Sequence, residues 1–478
     1  MQFNIKKIVF LQCFLLCLGF YSSTALAWWD CTWAKRVPVT IANGSLVALT
    51  NYEIQLTVNA ANFPGYVFAN ASNDFRAVDT NDITLLSSFV EPRALASAST
   101  TAWVKIPSLA AGASKTIYIY YAKSGAANVS DAVNTFSQAG IRIWTRNSTA
   151  SPTSRATAEA AFAAGTDTAG YGCKIITSWT NISNTNQFTG GVNSNIAFSF
   201  LGFFNASTTG NWGFRNGPDY GRGGGMYIDD QIVQERWTNM YWAGSYATAS
   251  QILANASVSL SPIGYHVMRD YGFEDCCDGV QEGQFKTPSG AYTIWTTTNL
   301  TTRAPQCPAN NVTVAINPVN ANNPVFSFSK TVTPFSDPVN NTINPKYIPG
   351  GRARYTMGIS NQGGGSADSN SIILSDAIPL NAKLYVGDLG ASGSGPVLFT
   401  QGSPSSTLVY TFAGLASTTD SVSFSNNNGA TYTYTPVADA NGFDVSVTNL
   451  QINAQGAFAC TPTGTPTGAS FQFDAGIK

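Results

Sequence analysis

Five aspartates sit in glycine-rich contexts of the central third of the chain: Asp219, Asp229, Asp230, Asp275 and Asp278, with Glu274 beside the last two. Loop carboxylates are hard oxygen donors, of which calcium takes about six to eight. No EF-hand loop spans these residues, and solvated carboxylates or turn caps are the plainer reading. Trp237, Tyr241, Trp242 and Tyr246 form an aromatic stretch almost free of charge. Flat rings stack on the apolar faces of sugars, which makes these four candidate ligand-binding residues. Rings of this size more often fill a sandwich core.

Catalytic chemistry finds less support. His266 is the only histidine, so a Ser-His-Asp or Cys-His mechanism would have to use it. No G-x-S-x-G elbow or cysteine-protease signature surrounds a nucleophile. A glycosidase needs only two carboxylates about 5 to 10 Å apart. Glu235, Glu274 and Glu282 are available for that role, but no local motif favours any of them. Gly221-Arg222-Gly223-Gly224-Gly225 is followed by no helix and is not a dinucleotide loop. No catalytic residue is assigned, and calcium is the one cofactor the residues raise.

Of the 8 cysteines, Cys13 and Cys17 lie in the leading apolar segment. Cys31, Cys173, Cys276, Cys277, Cys307 and Cys460 remain, an even number without a Cys-x-x-Cys pair. That favours disulfides over metal. Adjacent cysteines have Cα atoms about 3.8 Å apart, below the usual disulfide range. Cys276 and Cys277 are therefore expected to bond different partners, with Cys173 and Cys307 as candidates. The alternative is a strained bond between the two, which would make a stiff, apolar loop tip.

The elements that must position these residues follow an export signal. Lys6 and Lys7 precede an apolar run from Ile8 to Phe20, and Ala25-Leu26-Ala27 offers a cleavage site before Trp28. Residues 1–27 are read as a signal peptide for the general secretory route. The mature protein is placed outside the cell, on its surface or in the periplasm, with no membrane insertion after cleavage. Charged residues make up 11% of the chain, and Lys+Arg 25 against Asp+Glu 26 leaves a net charge of −1. That balance gives no reason to expect nucleic acid.

A chain of 478 residues is too long for one core and suggests about three domains. Tyr52, Ile54, Leu56 and Val58 alternate with polar residues, as strands with one buried face do. Trp103–Ile106 and Thr116–Tyr121 repeat the pattern and close a first domain, 28–136. A middle domain, 137–304, has expected strands at Ile196–Phe204, Trp212–Arg215, Gly225–Ile228, Val258–Leu260 and Tyr265–Arg269. Its single helix is expected over 154–164, stopped by Gly165. A Pro/Asn-rich linker, 305–324, leads to a third domain, 325–478. There Tyr355, Met357 and Ile359 alternate, as do Val422 and Phe424, and Phe443, Val445 and Val447.

The first domain resembles an uncharacterised bacterial domain found near the N-terminus of exported proteins, including MshQ-like proteins of MSHA-pilus biogenesis. The likeness rests on Trp33-Ala34-Lys35-Arg36, Asp74-Phe75-Arg76 with Asp79, and Ala102 to Leu109 leading into Lys115 to Tyr121. The middle domain resembles exported proteins with a Cys-Cys-x-Gly signature, here Cys276-Cys277-Asp278-Gly279 after Trp212-Gly213-Phe214-Arg215. More distantly it resembles protective-antigen-type sandwiches, where paired aspartates hold calcium and a sugar; here Pro218 precedes Asp219. The third resembles immunoglobulin-like surface-protein repeats through Pro349-Gly350-Gly351 and Tyr355 to Asn361. Together these imply an all-β chain of tandem antiparallel sandwiches, jelly-roll-like and protective-antigen-like, with a C-terminal immunoglobulin-like sandwich. The implied function is a surface adhesin with a glycan ligand and pilus or surface-assembly partners. A carbohydrate-active enzyme and a structural assembly factor are the alternatives.

Overall fold

A computed structural model describes residues 28–68, 73–92, 98–319, 323–460 and 465–478. The expected signal peptide, 1–27, lies outside them. The regular structure is nearly all antiparallel β, with seven sheets among the described residues arranged in three units. Among the described residues, no helix is long and apolar enough to cross a membrane.

In the first unit, a five-stranded sheet built around Lys35–Asn43 and Ser114–Tyr121 faces the three strands Leu49–Asn59, Ser99–Leu109 and Ser88–Val90. Ile54, Leu56 and Val58 point inward against Val37, Val39, Ile117 and Ile119, so the period-two pattern becomes the core. Glu53 is buried as well, because its carboxylate accepts from Ser137 and from the Gln306 amide.

The stretch 305–324, expected to be a linker, includes the strand Val312–Ile316, which pairs with Lys35–Asn43 and extends the first sheet. Short Val/Ile alternation between proline and asparagine clusters hides this strand in the sequence. The alternation expected over Phe443–Val447 also stops early. The strand ends at Asp444, whose carboxylate takes the Val437 and Ser446 amides, and Val445 turns outward.

The middle unit packs an eight-stranded sheet, centred on Ser194–Ala206 and Gly264–Cys276, against four strands that include Gly210–Gly217 and Glu282–Lys286. Phe198, Phe200, Phe204, Trp212, Phe214, Trp179 and Trp295 fill the space between them. The helix Arg155–Ala164 is capped by Ser154 and followed by Gly165. The third unit has sheets of six and three strands around Leu384, Phe424, Leu450, Ile452 and Phe471.

The units are tied to one another. Phe136 stacks on Phe203 at 4.1 Å, and Arg269 of the middle unit reaches both carboxylate oxygens of Glu91 in the first, at 2.7 and 2.6 Å. Cys31 bonds Cys460 of the third unit, and Cys173 bonds Cys307. Cys276 and Cys277 bond each other rather than separate partners, with Cα atoms 3.7 Å apart. Cys173 and Cys307 are joined where the middle unit meets the returning chain, which leaves the adjacent pair to close on itself.

Candidate functional site

The strand Gly210–Gly217 turns Trp212, Phe214 and Asn216 into the core and Gly213, Arg215 and Gly217 outward. The two glycines seat large neighbours. A Cβ at Gly217 would lie 2.4 Å from the Trp242 ring, and one at Gly213 would lie 2.7 Å from the Tyr292 hydroxyl. Trp242 therefore lies flat on backbone, and its ring centre is 5.6 Å from that of Tyr246. The Arg215 guanidinium is held between Tyr246 and Tyr292, 3.9 Å from each ring centre. Its Nε donates to Gln284 Oε1 at 2.9 Å. Gln284 in turn donates to Glu282 Oε1, and Thr180 donates to Glu282 Oε2, each at 2.7 Å. The Tyr246 hydroxyl donates to the Glu282 carbonyl at 2.6 Å. Trp242, Tyr246 and Tyr292 are half-buried, with polar groups along their border.

Next to this platform, Tyr241 pairs with Asp219 across the short ladder of Asp219–Tyr220 and Met240–Tyr241, and it is 62% exposed. Asp219 accepts from the Gly279 amide, and burial raises its pKa, with Asp278 and Asp275 adding to the effect. Glu274 accepts from the Gly221 amide at 2.6 Å and the Cys276 amide at 2.8 Å. Burial pushes Glu274 up to about 7. Asp278 accepts from the Thr185 amide at 2.7 Å and the Thr185 hydroxyl at 2.9 Å, burial raises its pKa, and its Oδ1 is buried without a partner. A Cβ at Gly221 would strike Asp275 Oδ1 at 2.2 Å, so only glycine lets these carboxylates close on the backbone. The Cys276–Cys277 pair caps this rim, with Cys277 at φ 78° and its amide bonded to the Asn193 carbonyl. None of the four carboxylates joins an ion pair among the described residues.

The residues singled out from sequence are thus divided. Tyr241, Trp242 and Tyr246 share one patch with Asp219, Asp275 and Asp278. Trp237 instead packs beside Phe162 under the helix. Asp229 and Asp230 form a turn at the opposite end of the Gly264–Cys276 strand, where Asp229 contacts His266 and Asp230 accepts from Arg155 at 2.7 Å. His266 is 1% exposed. Among the described residues, no three acidic, cysteine or histidine side chains converge as metal ligands. The aspartates do not fit a preformed calcium cage. Of the carboxylates weighed for glycoside chemistry, Glu235 accepts from Tyr227 at 2.8 Å, while Glu274 and Glu282 are engaged as above.

Arg215, Gln284, Lys286 and Tyr292 escape the sequence reading. The outward Gly213-x-Arg215-x-Gly217 alternation was their one local signal. Asp270 was also invisible. It is fully buried, accepts from Tyr220 at 2.7 Å and Asn216 at 3.0 Å, and is pushed by burial to about 7.

Residues 71–138 match the model of a family described as a domain of unknown function, DUF2341. No curated protein matches the chain. Among solved structures, the chain is similar to the PA14 domain of the antifreeze protein MpAFP, with 12% identity over 35% of this chain and 93% of that one and a TM-score of 0.28. It is also similar to a PA14 sugar-binding domain from an RTX adhesin, with 14% identity, 35% and 99% coverage and a TM-score of 0.28. A third is the epithelial adhesin 6 A domain from Candida glabrata in complex with Galb1-3GlcNAc, with 12% identity, 36% and 92% coverage and a TM-score of 0.25.

Proposed function

We propose that the protein is an exported, surface-displayed binding protein whose middle unit holds a glycan on the Trp242–Tyr246 platform. The observation that carries this reading is the Trp242 ring laid over Gly217 with Tyr246 beside it, both partly exposed and bordered by Arg215, Glu282 and the Asp219 rim. Ring faces supply stacking for a sugar's apolar side, and the bordering groups supply acceptors and donors for its hydroxyls. The first unit, joined to the middle one by Arg269–Glu91 and to the third by Cys31–Cys460, and the third serve as rigid spacers and docking modules, with pilus or surface-assembly proteins as their partners. The export signal and the three disulfides support a site of action outside the cytoplasm.

A glycan array with the full mature chain tests this. Retention is expected on a defined subset of glycans, should persist in EDTA, and should fall about tenfold or more in Trp242→Ala, a stacking loss of the size aromatic contacts supply. A flat array would remove the reading. Release of reducing sugar, abolished by Glu282→Gln, would replace it with the enzyme.

A further inference from the structure

We infer that the glycan taken by this platform is acidic, and that Arg215 and Lys286 form the subsite for its carboxylate; this rests on the glycan reading above. The Lys286 ammonium lies 5.3 Å from the centre of the Tyr292 ring that also carries Arg215, so two cations flank one ring. Among the described residues, neither joins an ion pair with a carboxylate. Arg215 spends Nε and Nη2 on the neutral Gln284 amide oxygen and leaves Nη1 without a partner among the described residues. The Lys286 ammonium makes no hydrogen bond among the described residues. Glu282, the acidic side chain beside Tyr246, is taken by Thr180 and Gln284.

Arg215 lies opposite Gln284 and Lys286 opposite Gly213, so the two cations are diagonal neighbours on one sheet face, where an anion between them is favoured. A guanidinium fixed flat between two rings is preorganised for a planar, two-oxygen partner, which a ligand carboxylate is. The same face offers Trp242 and Tyr246 for the sugar ring. Beyond them lies the uncompensated acidic rim of Asp219, Glu274 and Asp278. The field therefore runs from positive to negative along the platform. A uronic-acid chain fits this arrangement, with its carboxylate at Arg215 and Lys286 and its neutral hydroxyls toward the rim.

The test is affinity electrophoresis of the intact mature chain through gels containing polygalacturonate, the same polymer after carboxyl reduction, or a sulfated polysaccharide. Retardation is expected on polygalacturonate, weakening with salt, and about tenfold weaker after carboxyl reduction. Lys286→Gln should weaken retardation about fivefold while melting as the parent does. Arg215→Lys keeps the charge and loses the planar fork, and it should weaken retardation further. Equal retardation by the carboxyl-reduced polymer, abolished by Trp242→Ala, would overturn the acidic assignment and leave the glycan reading standing. Preference for the sulfated polymer, or indifference to Lys286→Gln, would also overturn it. No retardation by any polymer, together with a flat glycan array, would overturn both.

Discussion

The strand Gly264–Cys276 meets acidic residues at both of its ends, and the protein treats the two sets in opposite ways. At the His266 end each carboxylate has a cation. Asp229 takes the imidazole Nδ1 and the Val267 amide, while the other ring nitrogen faces the Pro262 carbonyl at 2.9 Å. Acceptors face both nitrogens, an arrangement that favours the protonated ring. Burial pulls its pKa down and the Asp229 contact more than offsets this, so the value is raised. Asp230 is paired with Arg155. At the Cys276 end, where Glu274 lies eight residues from His266 and so roughly 27 Å away at ~3.4 Å per residue, Asp219, Glu274 and Asp278 have backbone and hydroxyl donors but, among the described residues, no cation. Buried charge without a counterion costs stability. An Asp-Asp pair and an Asp-Cys-Cys-Asp run look equally acidic in sequence. Only the partner distinguishes a set matched by cations from one held by backbone and hydroxyl donors alone.

The largest effect should come from breaking the paired end. Asp229→Ala removes the buried acceptor of both the His266 ring and the Val267 amide and should cost about 3–5 kcal/mol in urea denaturation. Asp278→Asn, which removes a charge that has no counterion, should change stability by less than ~1 kcal/mol at pH 7. Equal losses would erase the contrast.

The pH dependence sharpens it further. Asp270 and Glu274 both stand at about 7, above their ordinary values, because burial disfavours their charged forms. Their protonation stabilises the fold fully below pH ~4, and that contribution is lost as the pH rises through about 7. Melting temperature should therefore fall between pH 5 and pH 8, by the equivalent of roughly 2–3 kcal/mol for each of the two groups, and Asp270→Asn should flatten the profile by about half. A profile that stays sloped in Asp270→Asn and Glu274→Gln would show that other groups carry it. His266 contributes in the same direction: its raised pKa gives stability present below ~6.5 and lost as the pH passes the folded value. As the only histidine it gives a single imidazole NMR signal, whose midpoint should lie above the ordinary value and drop in Asp229→Asn.

Much of the framework could be read from residue order. Ile54, Leu56 and Val58 announce their strand by alternation alone, and Ser154 and Gly165 bracket the helix between them. These signals are local, one side chain every second residue or one cap at each end. The platform was half legible. Trp242 and Tyr246 stand out as an uncharged aromatic run. Arg215, Glu282 and Tyr292, which border it, come from separate strands and loops and meet only across the sheet. Asp270 reads as a solvent-facing polar residue until Tyr220 and Asn216 are folded over it. The Cys276–Cys277 bond defeated the reading for another reason. Covalent geometry disfavours adjacent pairing, and only the placement of Cys173 beside Cys307 removes the other partners.

That bond gives the smallest stability effect and the finest test of the contrast between the two ends. Cys173–Cys307 spans 134 residues and constrains the unfolded chain, whereas Cys276–Cys277 closes no loop. Changing both Cys276 and Cys277 to Ser should therefore shift unfolding by no more than ~0.5 kcal/mol. What changes is the tip of the acidic rim: a rigid apolar knuckle becomes two hydroxyls on a free chain, and Asp275 and Asp278 lose the fixed spacing it gives them. Glycan retention should weaken while the urea midpoint stays put. Loss of several kcal/mol with retention intact would make the pair a staple, and the Cys276 end would then be as structural as the His266 end.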